Sequence, residues 1–361
     1  MRLVADSGLW STGQREAQPQ LVAVLEVSGA VLSWTVDDST HAAQITFTDL
    51  DRADWLWRVL GEPGHVALAA ALTGRAPEAA VELKDVDLRP ESLEPLRRLA
   101  LGHWLRRWWP ASDRDGIAAL DGAVLDAEIA MLTAGAEEFF TDDTFDSDVA
   151  ALLRPHTAAL SAHRHGGDPR VAELVRSCAD LADEIGVAFA DADGAALRRD
   201  DYALAAGAEG NGRGAGAIAT GTDSVNWGAV PAGVFDAAEN TVQWRVEAAD
   251  GSAKAVVRVA LSGSGLAAGI AVRLRSRAFG GVGVLDADGV ATFPIVDAQQ
   301  QSVTESAAWD HDWRSTTVTV GATVDESPQT RERIREFARS RIREPAGDAF
   351  LAEVLAAESD Y

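Results

Sequence analysis

The sequence is poor in cysteine, methionine and lysine, and it has no long uninterrupted hydrophobic segment. Its one cysteine excludes an internal disulfide framework. Apolar stretches such as residues 66–72 are far shorter than the ~18 residues that a membrane-spanning helix needs, so we expect no membrane association. An acid, Asp6, interrupts the N-terminus before the hydrophobic core of a signal peptide can form. We therefore expect a cytoplasmic protein.

Basic residues are scarce relative to acids: 32 lysines and arginines accompany 56 aspartates and glutamates, for a net charge of −24. Because nucleic-acid binding depends largely on cations that contact phosphates, this charge argues against a nucleic-acid partner. Lysine occurs only at Lys84 and Lys254, while alanine and glycine are abundant. This usage indicates a GC-rich bacterial genome. A halophilic source is the alternative, since acid excess and lysine loss also accompany adaptation to high salt.

The periodicity of the hydrophobic residues predicts a multidomain α+β protein. Residues 1–90 combine short alternating stretches with tryptophans and predict a small α+β or β-rich head, with a hairpin turn at residues 28–29. Residues 91–200 contain four apolar stripes with helical spacing, which predict a four-helix bundle. The last of these helices is the best bounded: Asp168 is a capping residue followed by proline, and Gly186 lies just past the end.

The C-terminal part of the chain has a different character. Residues 201–223 are dominated by glycine, alanine and small polar residues and predict a flexible linker. Residues 224–321 contain about seven short alternating segments separated by Asp-Gly turns, which predict an antiparallel β-sandwich of the immunoglobulin-like class. Residues 327–358 predict a terminal helical segment, in which Pro345 ends the first helix.

No group of residues in the sequence forms a catalytic or cofactor-binding motif that we can recognise. Cys178 lies on the apolar stripe of a predicted helix, so we interpret it as a buried small hydrophobe. His156 and His163 are about two helical turns apart, too far to share one zinc ion. His311 lies between two aspartates, but neighbouring residues of a strand point to opposite faces and no partner serine is evident. We therefore predict no cofactor and no metal.

Arginines recur on one face of two predicted elements, although the protein is acidic. One row alternates with core residues along a sandwich strand, and the other recurs every four residues along the terminal helix. Each row is either a solvated face or a docking face for an acidic surface, which for the helix can be the protein's own. Two tryptophans are further candidate anchors, because tryptophan is enriched in binding hot spots. The candidate partner-binding residues are Arg273, Arg275, Arg277, Arg331, Arg335, Arg339, Arg343, Trp109 and Trp313.

Our leading hypothesis is a non-enzymatic adaptor or accessory protein of a multi-component bacterial signalling, regulatory or defence system, with a protein partner. The alternatives are a hydrolase whose site forms between domains and a small-ligand sensing module in the helical region. A deep polar pocket around His311 or His163 would favour the enzyme. A shallow surface with exposed arginine and tryptophan would favour the adaptor. The sequence does not indicate the oligomeric state.

Overall fold

A computed structural model of the chain describes residues 1–13, 18–38, 43–77, 80–137, 139–140, 146–163, 168–189, 216–263 and 265–359. The described residues divide into two compact units. The first unit draws on residues 1–109, 120–192 and 332–361, and the second on residues 110–119 and 193–331. Helices and antiparallel sheets are both present, which confirms the α+β class. The first unit contains the predicted head and most of the predicted bundle and of the terminal helical segment, whereas residues 110–119 of the predicted bundle belong to the second unit.

The described ranges contain α-helices and β-strands, each numbered in chain order. The α-helices are α1 (Leu56–Leu72), α2 (Glu94–Trp108), α3 (Gly122–Glu137), α4 (Asp146–Leu153), α5 (Thr157–His163), α6 (Pro169–Glu184), α7 (Glu305–Trp309), α8 (Pro328–Arg343) and α9 (Leu351–Ser359). The strands are β1 (Arg2–Asp6), β2 (Leu9–Ser11), β3 (Val22–Val27), β4 (Ala30–Thr35), β5 (Gln44–Phe47), β6 (Val81–Glu82), β7 (Ala217–Asp223), β8 (Val242–Ala249), β9 (Ser252–Val259), β10 (Ala271–Ser276), β11 (Phe279–Val284), β12 (Val290–Pro294) and β13 (Thr317–Val320).

The first unit combines a six-stranded sheet with helices. The strand order is β3-β4-β5-β2-β1-β6, and every neighbouring pair is antiparallel. The β3–β4 pairing confirms the hairpin predicted at residues 28–29. The predicted ends of α6 are also confirmed, because the Asp168 side chain accepts a hydrogen bond from the backbone N–H of Arg170 and Gly186 has a φ of 71°. Trp104 of α2 is fully buried, and its indole donates to the carbonyl of Gln20 at 2.8 Å.

Local interactions shift two of the predicted helices. The second predicted helix, at about residues 117–139, begins only at Gly122 as α3, because Ile117 forms a β-bridge with Ser112. Asp121 caps α3, since its side chain accepts hydrogen bonds from two backbone amides of the first turn. The third is divided into α4 and α5 by a turn of 3-10 helix over Arg154–His156, which contains a proline.

The predicted linker is corrected at its C-terminal end. Residues 217–223 form strand β7, which pairs antiparallel with β8, and residues 201–215 lie outside the described residues. Gly221 shows why a glycine-rich segment is a strand here. A Cβ at this position would collide with the indole ring of Trp244, so the glycine leaves room for core packing rather than providing flexibility.

The second unit contains two antiparallel sheets that share one hydrophobic core. The four-stranded sheet has the order β12-β9-β8-β7, and the three-stranded sheet has the order β11-β10-β13. Alternate residues of both sheets enter the core, among them Trp244, Val257, Leu274 and Phe293. The alternation that predicted these strands is the one expected for sheets with one buried face. The immunoglobulin-like class itself stays a prediction.

A buried ion pair joins α8 to α9 in the first unit. Glu353 is 0% exposed, and its Oε2 atom lies 2.7 Å from Nη2 of Arg341. The same oxygen accepts a hydrogen bond from the backbone N–H of Phe350, and Arg341 also donates to Asp348 at 3.1 Å. A carboxylate this deeply buried depends on its cation, because desolvation of an unpaired charge is costly.

We predict that Arg341→Leu lowers the free energy of unfolding by about 3–5 kcal/mol, because it leaves the Glu353 carboxylate buried and unpaired. Arg333 provides a matched control on the same helix. It pairs with Asp37 at 2.6 Å but its side chain is 54% exposed, so Arg333→Leu should cost about 1 kcal/mol or less. Urea unfolding of both variants measures the difference. Equal losses would show that burial does not control the strength of these pairs.

Candidate functional site

Most arginines of the α8 row form ion pairs with glutamates of the same chain. Arg331 forms two hydrogen bonds with Glu239, at 2.8 and 2.9 Å, and its side chain is 5% exposed. Arg335 is also buried and bonds to a glutamate one turn earlier at 2.7 Å. The structure therefore corrects the prediction that these two arginines bind a partner, because the acidic groups they meet belong to this protein. Arg339 is half-buried and bonds to the same glutamate, whereas Arg343 is exposed.

The two candidate tryptophan anchors are not exposed. Trp313 is 8% exposed and its indole donates to the carbonyl of Ala308 at 2.9 Å, so it belongs to the core of the second unit. Trp109 follows the last residue of α2 and is half-buried. Trp309, which we did not single out, is 54% exposed. Short-range spacing does not distinguish these environments, since each depends on residues distant in the sequence.

His311 has a serine partner that the sequence analysis missed. Its Nε2 atom lies 3.0 Å from Oγ of Ser276, which is 35 residues away in the chain. The imidazole packs against the rings of Phe279 and Trp313, with centroids 4.5 and 4.6 Å away, and burial lowers the pKa of His311. Ser276 is 0% exposed, so its hydroxyl is not accessible to a substrate. This serine–histidine pair therefore fastens a loop to the end of β10.

The other singled-out polar residues have structural partners in the first unit. Cys178 is fully buried, with Sγ 3.5 Å from the carbonyl of Ala127, as its place on the apolar stripe predicted. His156 contacts the buried Asp126 at 3.0 Å, and the Nε2 atom of His163 lies 3.2 Å from a carboxylate oxygen of α3's capping residue. The two histidines thus contact different carboxylates, Asp126 and Asp121.

An exposed face of the three-stranded sheet combines arginine, valine and small residues. In the register of the sheet, Arg273 lies opposite Val282 and Arg275 lies opposite Gly280. We define the arginine face as the outward positions of this sheet, none of which is acidic: Ala271, Arg273, Arg275, Gly280, Val282, Val284, Thr317 and Thr319.

The two guanidinium groups of the arginine face are available to a partner. Arg273 and Arg275 are both exposed, and neither forms an ion pair with any residue that the structure describes. Val282 and Val284 add apolar surface and are 62% and 57% exposed. An open groove of about 820 Å³ adjoins both arginines and is also lined by residues 296–298, which include one acid, Asp297. Arginine is enriched in protein–protein interfaces, and the exposed valines add apolar contact area beside it.

Arg277 does not belong to this face. It lies in the turn between β10 and β11 with a φ of 51°, and its guanidinium pairs with Asp312 at 2.9 Å. Alternation along the strand predicted an outward position for Arg277, but the strand ends one residue earlier. Arg245 and Arg258, which we considered as neighbours of the row, lie on strands of the other sheet.

Comparison with known proteins adds no assignment, since no protein family, curated protein or solved structure matches this chain. Within the described ranges, no helix has both the length and the apolar character needed to cross a bilayer.

We predict that Cys178 is chemically inert in the native protein. Burial raises the pKa of its thiol to about 12, so very little reactive thiolate forms at neutral pH. A maleimide should label the native protein at least about a hundredfold more slowly than the urea-unfolded chain at the same pH. The unfolded chain is the control for reagent activity. Rapid labelling of the native protein would contradict the burial of this side chain.

Proposed function

We propose that this protein is a non-enzymatic adaptor or accessory component that binds an acidic protein partner through the arginine face. The observation that carries the proposal is a face without acids, with two unpaired arginines, on a chain of net charge −24. Ion pairs within the chain engage several other arginines, including Arg331 and Arg341, whereas Arg273 and Arg275 lie side by side in the sheet without an acid among their outward neighbours. We place this activity in a multi-component signalling, regulatory or defence system of the cytoplasm, and the composition of the chain favours a bacterial source.

The chemistry of the arginine face favours a protein partner over a nucleic acid. Arginine forms bidentate hydrogen bonds with carboxylates, and the exposed valines add apolar contact area. Complementary charge speeds encounter and fixes orientation more than it raises affinity. Nucleic acid would meet only two unpaired guanidinium groups on this face and would be repelled by the acid excess of the chain.

We predict that the double variant Arg273→Glu/Arg275→Glu loses capture of the partner while keeping its fold, because both side chains point away from the core. Binding should fall by about tenfold or more at low salt, and the wild-type advantage should shrink as salt screens the charges. The measurement is capture from a lysate of the source cells on immobilised protein, with circular dichroism to verify folding.

Arg258→Glu is the matched control for this experiment. Arg258 is an exposed strand arginine on the other sheet, so the variant makes the same type of charge change away from the arginine face. A partner retained by wild type and by Arg258→Glu, but lost by the double variant, supports the proposal. Equal capture by all three folded proteins would show that the arginine face is only solvated.

A cavity in the first unit favours a second candidate function, the sensing of a small polar ligand. It has a volume of about 240 Å³, and its polar lining consists of Glu26, His103, Arg106, Thr133 and Asp148. Burial lowers the pKa of His103, so its neutral imidazole can accept or donate a hydrogen bond there near neutral pH. A thermal-shift screen of small neutral and cationic polar molecules, compared between wild type and His103→Ala, tests this alternative.

A further inference from the structure

Strand β11 has one side that is open to pairing. The order β11-β10-β13 places it at the end of its sheet. Gly280 exchanges hydrogen bonds with Val296 on the side away from β10, with N···O distances of 3.0 and 2.8 Å. Because peptide groups point alternately to the two sides of a strand, those of Val282 and Val284 point to this outer side. Among the described residues, no backbone hydrogen bond involves the N–H or C=O groups of Val282 and Val284 on this side, so two donors and two acceptors are unpaired.

The open side of β11 lacks the devices that usually prevent strand pairing. Proteins protect such edges with charged residues, proline or bulges. The sequence of β11 is Phe-Gly-Gly-Val-Gly-Val, and its pairing with β10 is regular throughout. Gly281 and Gly283 lie against the ring of Phe293, and a Cβ at Gly281 would approach that ring to 2.7 Å. Core packing therefore supports the strand from inside, while its outer side is covered at Gly280 by Val296 and stays unprotected at Val282 and Val284.

We propose that the acidic partner binds as an extended segment that adds a strand to the open side of β11, a proposal that rests on the proposed function. Main-chain hydrogen bonds with Val282 and Val284 would set the register. Carboxylates on the outward side of the segment would approach Arg273, which lies opposite Val282. A second copy of this chain is disfavoured as the occupant, because each copy carries a net charge of −24.

The geometry of strand addition specifies which amides of the segment matter. In an antiparallel pair, the residues opposite Val282 and Val284 share their face of the sheet and exchange hydrogen bonds with them. A segment with an acid at every second position places all its carboxylates on the arginine face. The amides of the acidic residues then point toward β11, and the amides of the intervening residues point away.

The test uses a synthetic peptide of about eight residues, with blocked ends, in which glutamate and valine alternate. Two matched peptides carry N-methyl groups on the glutamate amides or on the valine amides. Their affinities for the full-length protein are compared by fluorescence anisotropy. We expect glutamate methylation to weaken binding by about tenfold or more, because it removes the donors that face Val282 and Val284, while valine methylation changes affinity by less than about twofold.

The outcomes separate strand addition from the proposed function. Equal affinities of the two methylated peptides, or no binding of the parent peptide to wild type, would overturn strand addition. If methylation has no position-dependent effect but Arg273→Glu/Arg275→Glu still weakens the parent peptide, the arginine face stands without strand addition. If charge reversal leaves the affinity for the parent peptide unchanged, the proposed function fails.

Val282→Pro, compared with Val282→Thr, repeats the test on the protein, since only proline removes the outward N–H.

Discussion

A buried carboxylate needs groups that compensate its charge, and in the first unit arginine does so for two of the most deeply buried acids, Glu353 and Asp126. Glu353 has no exposed surface and is held by Arg341, and the buried Asp126 contacts Arg106 at 2.9 Å. Arg341 is buried together with Glu353, whereas the Arg106 side chain is 50% exposed and reaches Asp126 from the surface. Both arginines compensate a charge whose burial without a partner would cost several kcal/mol, as a rough figure. The terminal helices are attached to the first unit by this constraint as well as by apolar packing, such as the approach of Phe350 to Gly102.

The same requirement gives the arginine face its significance. Arg258 is also exposed and without a described ion pair, so the distinction of the arginine face is that two such arginines are adjacent on one sheet. Here acids exceed bases by 56 to 32, and a sheet face with two arginines and no acid is a locally basic surface on an acidic chain. Since an exposed ion pair contributes at most about 1 kcal/mol, leaving these arginines unpaired costs the monomer little stability. The face can therefore be used for recognition without weakening the fold.

Local signals in the sequence predicted local structure, and they failed where distant residues decide the outcome. The cap at Asp168, the turn at residues 28–29 and the alternation around Arg273 depend on neighbours in the chain, and the structure has them as expected. The regular spacing of Arg331 and Arg335 could not reveal their burial, because Glu239 lies 92 residues before Arg331. The glycines of the predicted linker were ambiguous for a similar reason, since Gly221 packs against Trp244 on another strand.

The candidate site shows the same division between local and distant information. Alternation along β10 predicted the outward direction of Arg273 and Arg275, but it could not identify β11 as the neighbouring edge strand. The contact of His311 with Ser276 also depends on chain reversal between the two residues. Composition of β11 did carry a signal: a strand with three glycines and no charge is poorly protected at an edge. That signal becomes interpretable only after the sheet order is known.

The size of the open edge limits what kind of binding it supports. Two outward-pointing residues offer only two donors and two acceptors, and a net contribution of about 1 kcal/mol per hydrogen bond gives modest affinity by itself. Charge attraction would raise the rate of encounter, and the backbone register would select extended segments over compact acidic surfaces. Weak, fast and conformation-dependent association of this kind is suited to a component that exchanges partners. It is less suited to a permanent subunit, whose interface would need a larger apolar area than these two valines provide.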